Sequence, residues 1–88
     1  MGRVLTQIKV FPTEVGVDLV KLQDDVRKGL PEGATITKAE EEPIAFGLVA
    51  LVLTISMIEK EGIVEEVEKA LASTSNVGEI QTVAISRC

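Results

Sequence analysis

The segment Leu48-Val49-Ala50-Leu51-Val52-Leu53-Thr54-Ile55-Ser56-Met57-Ile58 is the longest apolar run in the chain, and Glu40-Glu41-Glu42-Pro43-Ile44-Ala45-Phe46-Gly47 leads straight into it. Length alone allows a short helix. The β-branched residues and a polarity that changes at every second position make it a strand. Val49, Leu51, Leu53, Ile55 and Met57 fall on one wholly apolar face. Leu48, Ala50, Val52, Thr54 and Ser56 fall on the other, apolar at its start and polar later. A strand this apolar belongs in the middle of a sheet. The residues before it, Glu41 to Gly47, are expected to form a loop, because Pro43 fixes its own backbone and pushes Glu42 away from helix.

On the N-terminal side, Arg3 to Phe11 alternates, with Val4, Thr6, Ile8 and Val10 facing one way and Arg3, Leu5, Gln7 and Lys9 the other. This is a half-buried strand, and Pro12 ends it for want of a ladder donor. Asp18 is an N-cap, and Leu19, Leu22, Val26 and Leu30 follow at helical spacing. Gly29 and Leu30-Pro31-Glu32-Gly33 stop that helix and turn the chain. Ala34 to Glu40 reads as a weaker strand, suited to an edge, where Lys38 discourages further pairing. On the C-terminal side, Glu59-Lys60-Glu61-Gly62 is a turn. Ile63, Val67, Ala70 and Leu71 form the stripe of a second helix, with Glu65 and Glu66 near its positive end. After a loop from Ser73 to Gly78, Glu79 to Ser86 alternates as a last strand, with Val83 and Ile85 on one face.

The order β-α-β-β-α-β predicts the α+β ferredoxin-like two-layer sandwich, a four-stranded antiparallel sheet in order 4-1-3-2 with both helices on one face. Eighty-eight residues form a single domain, 1–88, with no room for a second core. Two phenylalanines are the only aromatics, so the core is aliphatic.

Composition excludes more functions than it selects. Net charge is −5, with no basic stripe to neutralise phosphates, so direct nucleic-acid binding is not expected. Cys88 is the one cysteine and histidine is absent, which removes internal disulfides, paired-thiol metal chemistry and histidine-based catalysis. No phosphate-binding glycine loop occurs, the sheet lacks stacking aromatics for RNA, and Thr13-Glu14-Val15-Gly16 offers no arginine to cradle an anion. Adjacent carboxylates in an extended chain point in alternating directions, so Glu40, Glu41 and Glu42 read as solvated surface. No catalytic residue, metal or cofactor is expected. Leu48–Ile58 is too short to cross a membrane, and the expected location is the cytoplasm.

Phe46 has two readings from the residues: a core plug at the mouth of the strand, or an exposed anchor for a protein partner. Gly47 would let a partner backbone approach. Leu48, Ala50 and Val52, on the face that the helices do not use, extend the second reading into an apolar patch. Ser86-Arg87-Cys88 reads either as a solvated chain end or as a cation reaching an anionic site.

The segment Glu41-Glu42-Pro43-Ile44-Ala45-Phe46-Gly47-Leu48-Val49-Ala50-Leu51, with Leu30-Pro31-Glu32-Gly33 before it, resembles the archaeal translation elongation factor 1-beta family. The likeness covers all 88 residues in length and element order. It implies a ferredoxin-like fold and guanine-nucleotide exchange on the GTPase elongation factor 1-alpha. By the same likeness, the partner-binding residues are Pro43, Ile44, Phe46, Gly47, Leu48 and Arg87. Phe46 matches a phenylalanine that contacts the GTPase, and Arg87 matches a penultimate lysine that intrudes at its magnesium site. Arginine keeps that charge on a bulkier, planar group. Val49 and Ala50 stand where the eukaryotic domain carries lysines. A monomer or weak homo-oligomer is expected. The alternatives are a small-molecule-sensing regulatory domain of the same topology, disfavoured because Pro12 to Val17 holds only Gly16, and a homo-oligomeric interaction module.

Overall fold

The computed structural model describes residues 2–87; Met1 and Cys88 lie outside the described residues. Six elements follow one another: β1 (Arg3–Pro12), α1 (Leu19–Gly29), β2 (Ala34–Ala45), β3 (Leu48–Ile58), α2 (Ile63–Ala72) and β4 (Val77–Arg87). The four strands form one antiparallel sheet in the order β2-β3-β1-β4, which is 4-1-3-2 read from the other edge. This is the ferredoxin-like fold, with the most apolar strand in the interior of the sheet as its sequence requires.

Alternation decides which residues meet. Val4, Ile8 and Val10 of β1 and Leu51, Leu53, Ile55 and Met57 of β3 point to the helices, where Leu22 and Val26 of α1 and Ile63, Val67 and Leu71 of α2 complete the core. Each such side chain contributes about 1.5–3 kcal/mol of transfer free energy. Thr6 sits among them, and its Oγ1 is buried without a protein hydrogen-bond partner. Asp18 caps α1 by accepting hydrogen bonds from the backbone N–H of Val20 (3.0 Å) and Lys21 (3.3 Å). Gly62 starts α2 without a side-chain cap, and Glu65 and Glu66 occupy its first turn.

Four expectations need correction. The second strand does not stop at Glu40: β2 continues to Ala45, which pairs with Leu48, so the connection is only Phe46-Gly47 rather than a loop from Glu41. An edge strand tolerates Pro43 because it has a neighbour on one side only, and a register shift between Pro43 and Ala45 absorbs the irregularity. The glutamates fit a strand because Glu40 and Glu42 lie on the helix-free face, where Lys38 (2.7 Å) and Lys9 (2.8 Å) compensate them. The expected Leu48-Ala50-Val52 patch is not open. Ala50 is fully buried and Leu48 and Val52 half-buried. Glu42 pairs opposite Ala50 and Lys9 opposite Val52, so their ion pair spans β3 at this place.

Val83 and Ile85 do not share a face. The β1–β4 register steps from Gln7↔Ala84 to Ile8↔Thr82, leaving Val83 as the extra residue of a bulge. Ile85 stays on the helix side opposite Thr6, whereas Val83 joins Gln7, Lys9 and Val52 around a groove on the other face. The last strand also begins earlier than expected, at Val77, where Thr13 N–H donates to the Asn76 carbonyl at 2.9 Å.

Candidate functional site

The β2–β3 hairpin closes on two residues with positive φ, Phe46 at 53° and Gly47 at 80°. That is the backbone of a type I′ turn, whose twist suits antiparallel strands and whose usual occupants are Asn-Gly or Asp-Gly. Phenylalanine there costs about 1 kcal/mol of backbone strain. It recovers nothing from burial, being 99% exposed. The core-plug reading of Phe46 is therefore excluded. Gly47 is needed for its backbone: an added Cβ would meet Val15 Cγ1 at an ordinary 3.6 Å, but not at φ 80° without strain.

Pro43, Ile44, Gly47 and Leu48 surround Phe46 in the chain, and the hairpin keeps them together. Ile44, next to the register shift in β2, is 48% exposed. Sequence reading missed a second contribution: Val15, 58% exposed in the β1–α1 loop, lies against the glycine of the hairpin. Beside it runs a cavity of about 200 Å³ lined by Pro12, Val15, Val17, Leu19, Gly47 and Val49, among others. An aliphatic residue followed by Gly16 was the available signal.

Arg87 is elsewhere. It ends β4 opposite Val4, and Val4 in turn lies opposite Met57 of β3. From Leu48 to Met57 at about 3.3 Å per residue is about 30 Å, within the molecule's longest dimension of 43 Å. The structure thus brings five of the six anticipated residues together and sets Arg87 at the opposite end of the sheet. Its Nη1 lies 3.3 Å from Glu59 Oε2, beside a groove of about 490 Å³ lined by Val4, Glu59 to Glu65 and Arg87. Glu59 was not anticipated, since nothing in the sequence joins residues 59 and 87 before the register is known.

The acidic triplet diverges as an extended chain must. Glu40 hydrogen-bonds and pairs with Lys38, whose ammonium is held above its ordinary pKa first by that hydrogen bond and then by the carboxylate charge. Among the described residues no group of three or more His, Cys, Asp or Glu side chains is placed to hold a metal ion, and no helix is long and apolar enough to cross a membrane.

The EF-1 guanine nucleotide exchange domain matches residues 5–88. The chain belongs to that family. It is 39% identical over 87 residues to elongation factor 1-beta of Methanothermobacter thermautotrophicus, covering 99% of this chain and 98% of the relative. The corresponding protein of Staphylothermus marinus is 41% identical over 88 residues, again 99% and 98% of the two chains. That of Haloarcula marismortui is 44% identical over 85 residues, 97% and 93%. The exchange domain described here therefore offers two separated features, an exposed aromatic hairpin and a terminal cation. Neither is bound up in its own core.

Proposed function

We propose that this exchange domain promotes replacement of GDP by GTP on elongation factor 1-alpha, in the cytoplasm, by engaging the GTPase with both ends of its sheet. The observation that carries the reading is Phe46, fully exposed on a strained two-residue turn. A protein that bears such strain and exposes its aromatic gains from the residue only when a partner covers it. Pro43, Ile44, Gly47 and Leu48 support that contact. Arg87 is the second contact, directed at the magnesium and phosphate site of the GTPase.

Exchange requires no bond-making side chain. It requires tighter binding to the nucleotide-free GTPase than to the nucleotide-bound one, and by linkage the same factor weakens the nucleotide. A thousandfold effect corresponds to about 4 kcal/mol. Docking by Phe46 contributes to both states alike and so mainly sets affinity. A guanidinium that competes with magnesium for phosphate or carboxylate oxygens differs between the states, so Arg87 supplies the differential part. The two groups lie about 30 Å apart along the strands, which calls for a partner surface of that reach.

The test is release of a fluorescent GDP from elongation factor 1-alpha on adding the domain with excess unlabelled nucleotide. The expected result is acceleration that saturates with domain concentration. A release rate unchanged at saturating domain would remove the proposal.

A further inference from the structure

We propose that Glu59 is the positioning residue for Arg87, holding the guanidinium on the helix side of the sheet for the partner; this rests on the role given to Arg87 above.

Arg87 is the last residue of β4, and its side chain is 71% exposed. Left alone, a long side chain at a strand end samples many rotamers, and ordering it on contact would oppose binding. Glu59 limits this. Its backbone N–H donates to the Gly2 carbonyl at 3.1 Å, and the preceding Ile58 N–H donates to the Gly33 carbonyl at 3.1 Å, so the carboxylate is delivered from a tethered backbone. Arg87 reaches it because the register places Arg87 opposite Val4, two residues along from Gly2. The neighbouring cations do not compete. Lys60 turns to Glu66 at 3.9 Å, and Arg3 Nε donates to Ser56 Oγ at 2.7 Å on the other face.

The contact with Glu59 is made by Nη1, at 3.3 Å from Oε2. A guanidinium has five N–H donors in a rigid fork, so a single contact at Nη1 does not use them all, and the side chain is largely exposed. Glu59 can then stay bound while Arg87 donates to a phosphate or carboxylate oxygen of the GTPase. A lysine ammonium in the same pair would place its whole charge against Glu59. The arginine at this position is thus suited to bridging a carboxylate of its own chain and an anion of the partner.

The experiment is a double-mutant cycle on GDP release, Glu59→Gln in the native chain and in the Arg87→Ala chain, with melting curves to confirm that all variants fold. If Glu59 acts through Arg87, Glu59→Gln lowers the efficiency of exchange about 3- to 5-fold in the native chain, the range open to an exposed ion pair, and has no effect once Arg87 is alanine. Order at the Arg87 Nε–H, read by nitrogen relaxation, falls in Glu59→Gln. Equal losses in both backgrounds, or unchanged order at Nε, overturn the positioning role while leaving Arg87 in place. Full activity of Arg87→Ala overturns the role of Arg87 and that of Glu59 with it.

Discussion

The two ends of the sheet are built on opposite principles. At the hairpin end, the segments Pro12–Leu19, Ile44–Val49 and Ser73–Gly78 carry only Glu14 and Asp18 as charges, and they expose Phe46, Ile44 and Val15. At the other end, Arg3, Glu32, Glu59, Lys60, Glu61 and Arg87 crowd into a similar length of chain. An apolar contact is non-directional and scales with the area covered, which suits docking. A charged contact depends on geometry and is screened by salt, which suits discrimination between states of a bound nucleotide. On the proposed function, one small sheet keeps the two jobs apart by length alone.

The largest expected effect is on the hairpin. Phe46→Ala should weaken complex formation about 30- to 100-fold, the 2–3 kcal/mol typical of an aromatic hot spot, with no loss of thermal stability; isothermal titration with nucleotide-free GTPase and a melting curve measure the two. Affinity within a factor of two of native would break the comparison at its apolar end. Next comes Arg87→Ala, expected to cut the maximum rate of GDP release about 10-fold, a contribution of about 1.4 kcal/mol, with affinity changed far less.

A stability experiment sharpens the claim that the hairpin is strained for function. Phe46→Asn places a residue that accepts left-handed backbone in the type I′ turn, and should raise unfolding free energy by about 0.5–1 kcal/mol in urea while abolishing tight docking. Gly47→Ala should lower it by about 1 kcal/mol, since φ of 80° admits alanine poorly. If Phe46→Asn destabilises the domain, the strain argument fails. The smallest effect concerns salt. Moving from 0.05 to 0.5 M (about 14 to 4 Å of screening length) should reduce the Arg87 contribution a few-fold and leave the Phe46 contribution unchanged, as read from the two variants at each ionic strength.

Much of the fold is written in local pattern. The alternation of Val4, Thr6, Ile8 and Val10, the stripe of Leu22 and Val26 behind Asp18, and the unbroken apolar face of β3 each specify one element, and the observed core is made of these residues. The failures share one cause: they depend on which strand lies beside which. Pro43 and three glutamates argue for a loop until β2 is known to be an edge, where the strand has a neighbour on one side only and Lys9 can cross β3 to Glu42. Val83 and Ile85 sit at alternate positions, yet the bulge that separates them exists only in the pairing with Gln7 and Ile8.

The site divides the same way. Phe46-Gly47 between two runs marks a feature, but its exposure follows from closing the hairpin on two residues, which makes the phenylalanine a turn tip. The separation of Phe46 from Arg87 is implicit in the topology, because β3 begins at the end where β4 also begins, and β4 runs away from it. The Glu59–Arg87 contact needs both strand ends placed over β1.

The division of labour between the ends is tested most directly by measuring GDP release against domain concentration for Phe46→Ala and Arg87→Ala side by side. Phe46→Ala should raise the half-saturating concentration and reach nearly the native plateau, whereas Arg87→Ala should lower the plateau at an almost native half-saturation. Both substitutions moving the same parameter in the same proportion would contradict it.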